Sequence, residues 1–298
     1  MRKHLPEPEY FQGKPIPGHA RYRVQEVIGR GANAYVFRAH SDELNHDIAC
    51  KVIPRANLVG PEKEPPTWQD EVRKANVLES GIVVKVHDMS QWVDPDATID
   101  CVVLHAGYVR GRSLKDHMGR NPIAVSFVEL FLRTMFEFMD DMERHHVTHG
   151  DIHSGNVLVE DRSEQLGREQ YAFRITDFGV TRATSDRPAR DDYDQVALVL
   201  RELLEKVNYQ AATARERFAF NCLNDSFLAR HLTERDTTRD PLARRPRELH
   251  AELLRIGERF EAQQGPMIRP QLATLYDYPS CEQMGEAHDL LKALYSDA

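Results

Sequence analysis

Asp151, Asn156 and Asp177 stand five and twenty-one residues apart, inside His149-Gly150-Asp151-Ile152-His153-Ser154-Gly155-Asn156 and Thr176-Asp177-Phe178-Gly179. These residue types suit phosphoryl transfer, which needs a carboxylate beside the attacking hydroxyl and hard oxygen ligands for Mg²⁺. Upstream, Gly29-Arg30-Gly31-Ala32-Asn33-Ala34-Tyr35-Val36 lies between two strand-like runs. Glycines there let backbone amides come close to phosphate oxygens, and the same pair equally makes an ordinary hairpin turn. Lys51 follows twenty residues after Gly31, at the end of Ile48-Ala49-Cys50-Lys51, and Glu71 another twenty residues on. A helix carrying Glu71 could deliver it to Lys51 and hold the ammonium on the α- and β-phosphates; the plainer readings are an edge-strand lysine and a first-turn helix acid.

The elements that must position these groups show in the apolar periodicity. Residues 1–19 are rich in Pro, Gly and charge and read as an extended lead-in. Within it, Tyr10-Phe11-Gln12-Gly13 resembles part of an engineered protease site; the preceding residues do not complete one, and it is read as native. Short β-branched runs at 23–28, 34–39, 48–53, 83–86 and 99–104 predict strands. One helix interrupts them over 67–79, with Thr67 as N-cap and Asp70 and Glu71 in the first turns, where the helix dipole favours acids. Beyond Gly107 the pattern turns helical. Phe127, Leu130, Phe131, Met135, Phe138, Met139 and Met142 load one side of a long helix at 126–146, and 192–206 and 248–260 read as further helices. A small β-rich half before a larger helical half predicts a ligand-holding cleft.

Composition limits the partners. With 39 Lys and Arg against 47 Asp and Glu, the net charge of −8 opposes non-specific binding to nucleic acid or anionic membranes, so neither is expected as a partner. An apolar content of 41% suffices for a sizeable core and excludes a disordered chain. Cys50, Cys101, Cys222 and Cys281 form no C-x-x-C pair and read as reduced, buried thiols, which points to the cytoplasm. No run approaches the roughly 18 apolar residues of a membrane span.

Taken together, the Gly-rich loop, Lys51, helix Glu71, the H-x-D loop and D-F-G resemble the protein kinase superfamily over about residues 20–263. The resemblance implies an α+β, bilobal fold. A small antiparallel N-lobe with one main helix would occupy 20–106 and a larger, mainly α C-lobe 107–264, flanked by an extension at 1–19 and a tail at 265–298. It implies ATP and Mg²⁺ as cofactors, Lys51 on phosphate, Glu71 orienting Lys51, Asp151 as base, and Asn156 and Asp177 on the metal. Gly29 and Gly31 would cover the phosphates. Val36, Ala49 and Leu158 would sandwich the adenine, Tyr108 and Val109 would form the hinge that reads its edge, and Ala106 would be a small gate before it. His149 and Phe178 resemble members of the apolar stack behind D-F-G, and Asp192 the acid that braces the catalytic loop.

Several positions depart from the pattern. Gly150 stands where regulated protein kinases carry an Arg that binds an activation-loop phosphate. Only fifteen residues separate Asp177 from Asp192, and no A-P-E triplet occurs between them, which shortens the platform for a peptide. Arg182, Arg187 and Arg190 make that segment basic, suiting an acidic substrate or simply a solvated loop. His153 replaces a Lys, and H-G-D-x-H-x-x-N is similar to the catalytic loop of aminoglycoside and choline-type phosphotransferases. Asp240-Pro241-Leu242-Ala243-Arg244-Arg245-Pro246 resembles a late family signal with one residue inserted. The first expectation is a Ser/Thr protein kinase with a protein substrate. The second is a kinase for a small hydroxylated molecule, and the third a nucleotide-binding scaffold with little turnover. Ala287, Leu290, Leu291 and Leu294 form a stripe in the tail that could pack on its own domain or join another domain or partner.

Overall fold

The computed structural model describes residues 5–31, 34–55, 68–95, 99–162, 171–178 and 191–276, the side chains of 68, 70, 71 and 264–276 excepted. Contacts gather the chain into two compact units, residues 1–120 with 138–196, and residues 121–137 with 197–298.

In the first unit, β1 (Pro15–Ile16), β2 (His19–Arg30), β3 (Tyr35–Ser41), β4 (His46–Pro54), β5 (Val86–Asp94) and β6 (Ile99–Gly107) form an antiparallel sheet in the order β1-β2-β3-β4-β6-β5. Alternation along β4 buries Ile48, Cys50 and Val52 on one face, opposite Ala39, Phe37 and Val103 of the neighbouring strands. The other face carries Ala49 and Lys51. That two-residue period is what aims the lysine away from the core and towards the site.

The segment that sequence presents as a lead-in is part of this core. Pro8–Tyr10 makes one turn of 3-10 helix, and Phe11 and Ile16 are fully buried with Phe37 and Trp92. Phe11 meets Trp92 edge-on at 5.1 Å and Phe37 at 5.3 Å, while Tyr10 donates its hydroxyl to Asp94. Strand β5 also departs from expectation, running from Val86 to Asp94 rather than over 83–86. Most of its side chains face solvent at the sheet edge, which erases the apolar signal. Residues 82–84 instead run beside Ile175, exchanging backbone bonds of 2.8 and 2.9 Å with it.

Helix α1 (Trp68–Val77) falls within the predicted span; Thr67, its expected cap, lies outside the described residues. Lys85 donates to the carbonyls of Ala75 and Leu78 and so closes the helix C-terminus. A second sheet, β7 (Gly111–Ser113), β8 (Val157–Asp161) and β9 (Tyr171–Ile175), precedes and follows the catalytic loop. Ser113 caps the short α2 (Leu114–Met118) by accepting from the Asp116 amide.

Helices α3 (Val125–Arg144) and α4 (Asp192–Glu205) contribute residues to both units. The second unit is helical. Its buried residues come from α3 (Phe127, Phe131, Met135), α4 (Leu200, Leu203), α5 (Ala214–Cys222), a π-helical stretch Leu223–His231, and α6 (Pro246–Tyr276). Thr213 and Glu216 form a reciprocal capping box at the start of α5. Helix α6 outruns the predicted 248–260, because Glu261, Ala262, Gln263 and Gln264 favour helix without apolar periodicity. Asp240 of the late signal is buried and pairs with His231 at 2.6 Å.

Candidate active site

Three chain segments of the first unit bring the predicted groups together. Lys51, near the end of β4, places Nζ 2.8 Å from Asp177 Oδ1. Asp177 follows β9 and adopts a left-handed backbone, φ +59°, a conformation that Asp and Asn tolerate better than other side chains. Asn156 closes the catalytic loop: its Nδ2 donates to the Asp151 carbonyl at 3.0 Å and reaches Asp151 Oδ2 at 3.3 Å. With the amide nitrogen so engaged, Asn156 turns its Oδ1 elsewhere. The Thr176 amide donates to the Asn156 carbonyl at 3.0 Å, joining the two metal-type residues through one backbone bond. Hard oxygens from an amide and a carboxylate, with a lysine alongside, fit Mg²⁺ and phosphate rather than a soft metal.

The remaining predicted residues are placed by register. Val36 lies opposite Lys51 across β3 and β4, and Ala49 opposite Ala106 across β4 and β6, so these small residues share the lysine's face. Tyr108 and Val109 come directly after β6 and are half-buried; Leu158 sits on β8, opposite Ser113 and Arg174. Gly29 faces Val36 across a bulge, where an added Cβ would stand 3.3 Å from the valine, and Gly31 donates to the Ala34 carbonyl at 2.9 Å to close the turn. Ala32 and Asn33 lie outside the described residues. Glu71 is on α1, but its side chain lies outside them too, as do Gly179, Thr181, Arg182, Thr184, Ser185, Arg187 and Arg190.

The catalytic loop is braced from α4. Asp192, at the first turn, accepts from the His149 amide at 2.9 Å and the Gly150 amide at 2.7 Å. Burial pushes its carboxyl pKa up, against the pull of these two N–H bonds. Gly150 sits at φ +81°, a left-handed conformation that the arginine expected by the family pattern would hold only with strain. The His149 ring is buried, 4.5 Å from Phe178 centroid to centroid, with Phe138 edge-on to both. It accepts the Asp151 amide at Nδ1 (3.2 Å), so its proton is on Nε2, facing the Thr176 carbonyl at 3.2 Å. One neutral imidazole thereby links the loop that holds Asp151 to the segment that holds Asp177.

Burial pushes the His149 pKa down to about 4, the Thr176 bond resisting. His105, packed between Cys50, Ser90 and the His19 ring, is lowered likewise to about 4, first by burial and then by His19, with Asp88 opposing. Both folded values lie below the ordinary 6.5 of the unfolded chain. The unfolded state therefore takes up protons that the fold excludes. The stability these two histidines contribute is full above pH 6.5 and is lost as pH drops towards 4, with about 3 kcal/mol as the upper bound for each. Urea midpoints between pH 7 and 4.5 should show this slope, and His105→Asn should flatten it. An unchanged slope would remove His105 from the explanation.

Two groups that anchor the site carried little sequence signal. Asp141, buried within α3, accepts the amides of Glu79 and Ser80 at 3.1 and 3.0 Å and so fixes the turn after α1. Burial works against its charge but is outweighed by the Ser80 amide, Arg144 and His145, which hold its pKa below the usual range. A carboxylate amid the apolar stripe of α3 was the available clue. Gln195 accepts the Ile152 amide. Burial raises the Cys50 and Cys101 thiols to about 12 and about 11; Cys222, also free, is half-buried rather than buried, and Cys281 lies outside the described residues.

The protein kinase domain family model matches residues 22–223, and the chain belongs to this family, with its α+β fold. Among its relatives, the serine/threonine-protein kinase pkn3 of Myxococcus xanthus is 28% identical over 62% of this chain and 32% of that protein. The serine/threonine-protein kinase PknB of Mycolicibacterium smegmatis is 25% identical over 56% of this chain and 25% of its own length. For the serine/threonine-protein kinase PrkC of Bacillus subtilis the values are 25%, 58% and 24%. The chain thus spans about a quarter to a third of these relatives.

Proposed function

We propose that this chain is an ATP- and Mg²⁺-dependent phosphotransferase acting on Ser or Thr hydroxyls of a protein. The observation that carries this reading is the ion pair of Lys51 with Asp177 at 2.8 Å, set beside the Asp151 and Asn156 couple. Asp151 would orient the acceptor hydroxyl and take its proton, as oxygen attacks the γ-phosphorus and the bond to the β-phosphate oxygen breaks. Asn156 Oδ1 and the Asp177 carboxylate would hold Mg²⁺, which neutralises phosphate charge when bound. Lys51 would face the phosphate oxygens, oriented by Glu71. Gly29 and Gly31 would cover them, with Val36, Ala49 and Leu158 around the adenine and Tyr108 and Val109 at its edge. The names of the relatives support a protein acceptor. No described helix is long and apolar enough to cross a membrane, and we place the protein in the cytoplasm, with the tail available to a partner.

Gly150 supplies no cation for an activation-loop phosphate, and its left-handed backbone is committed to Asp192. Replacing Thr181, Thr184 and Ser185 together by Ala should therefore leave turnover unchanged in a steady-state assay. Loss of activity in a folded triple variant would contradict this.

A small-molecule acceptor is the second reading, favoured by His153 in the catalytic loop and by the short interval from Asp177 to Asp192. The His153 ring is held by the Gly155 amide at 3.0 Å, with Nε2 3.8 Å from Asp151 Oδ2. Transfer from γ-labelled ATP separates the readings. Label on this chain or on added protein is expected; label confined to a metabolite would support the second, and no label at all a scaffold.

A further inference from the structure

Every backbone N–H from His149 to Ile152 has an identified acceptor, and three of the four acceptors are side-chain oxygens on the first turn of α4. Asp192 takes His149 and Gly150, His149 Nδ1 takes Asp151, and the Gln195 side-chain oxygen takes Ile152. Asp192 and Gln195 are three residues apart, so one helix face presents both. Facing an N–H, the Gln195 amide must turn its oxygen, not its nitrogen, towards the loop. Ile152 is 4% exposed and Gln195 8%, so water does not replace this acceptor readily.

We propose that Gln195 is a positioning residue for phosphoryl transfer. By fixing the peptide that follows Asp151 it sets the direction in which the carboxylate projects, complementing Asp192, which fixes the peptides before it. This inference rests on the reading of Asp151 as acceptor of the hydroxyl proton. The route of Gln195 to the reaction is the Ile152 amide, which it holds as acceptor.

The test compares Gln195→Leu, Gln195→Ala and Gln195→Glu, with Asp151→Asn as control, in Mg²⁺-dependent phosphate transfer from ATP by the full chain. A misplacement of about 1 Å costs catalysis up to about 10²-fold, and this is the scale of loss in kcat expected for the Leu variant. The KM for ATP should hold, and Glu, which keeps an acceptor oxygen, should restore most of kcat. Hydrogen exchange should show the Ile152 amide deprotected in the Leu and Ala variants while the Gly150 amide stays protected. The inference is overturned if folded Leu and Ala variants keep wild-type kcat, or if Glu is as impaired as Leu. Should Asp151→Asn itself retain full transfer, the reading of Asp151 falls and the inference with it. A dead Asp151→Asn beside an active Gln195→Leu sinks the inference alone.

Discussion

Asp177→Asn should reduce Mg²⁺-dependent phosphoryl transfer by about 10³-fold or more while leaving the fold intact. The substitution keeps size and shape, and Asn accepts the left-handed backbone at φ +59° as readily as Asp does. What it removes is charge. Lys51 loses its 2.8 Å carboxylate partner, and the proposed metal position loses its anionic ligand. Turnover measured against Mg²⁺ concentration checks this, with thermal denaturation as the folding control. Activity within tenfold of wild type at ordinary Mg²⁺ would show that Asp177 does not hold the metal.

Phe11→Ala should destabilise the first unit by about 3–5 kcal/mol, the range for emptying a buried aromatic site. Phe11 is fully buried against Phe37 and Trp92, and the segment around it is tied down by the Gly13 amide to the Val24 carbonyl at 2.8 Å and the Val24 amide to the Lys14 carbonyl at 3.0 Å. Since a domain holds only about 5–15 kcal/mol in total, such a loss is a large share of it. Denaturant titration measures the change. A loss below about 1 kcal/mol would mean that residues 5–18 are an ornament on the sheet rather than part of it.

The contrast between these two residues explains what the sequence could show. Asp177 stands in a run of four residues whose chemistry is local, and Asp151 and Asn156 in a run of eight; their assembly was legible from type and spacing. Helix α3 was legible too, since seven apolar positions at helical spacing announced it, observed at Val125–Arg144. Phe11 and Ile16 stand among prolines, glycines and charges, and two isolated buried side chains have no period to detect. Strand β5 hid because an edge strand with mostly solvated side chains looks like loop. Asp192 was visible through the family pattern, whereas Gln195 was not, because its partner is a backbone amide that every residue but proline carries. Lys85 was silent for the same reason: its partners are the carbonyls that end α1.

The central claim is that Asp151, Asn156, Asp177 and Lys51 form a working site for phosphoryl transfer to protein hydroxyls. Mass spectrometry of the purified chain after incubation with ATP and Mg²⁺, beside Asp151→Ala, tests it most directly. Phosphate on Ser or Thr of the wild-type chain or of an added protein, and none in the variant, is the predicted result. Equal phosphate on both proteins, or none on either when nucleotide binds, would contradict it.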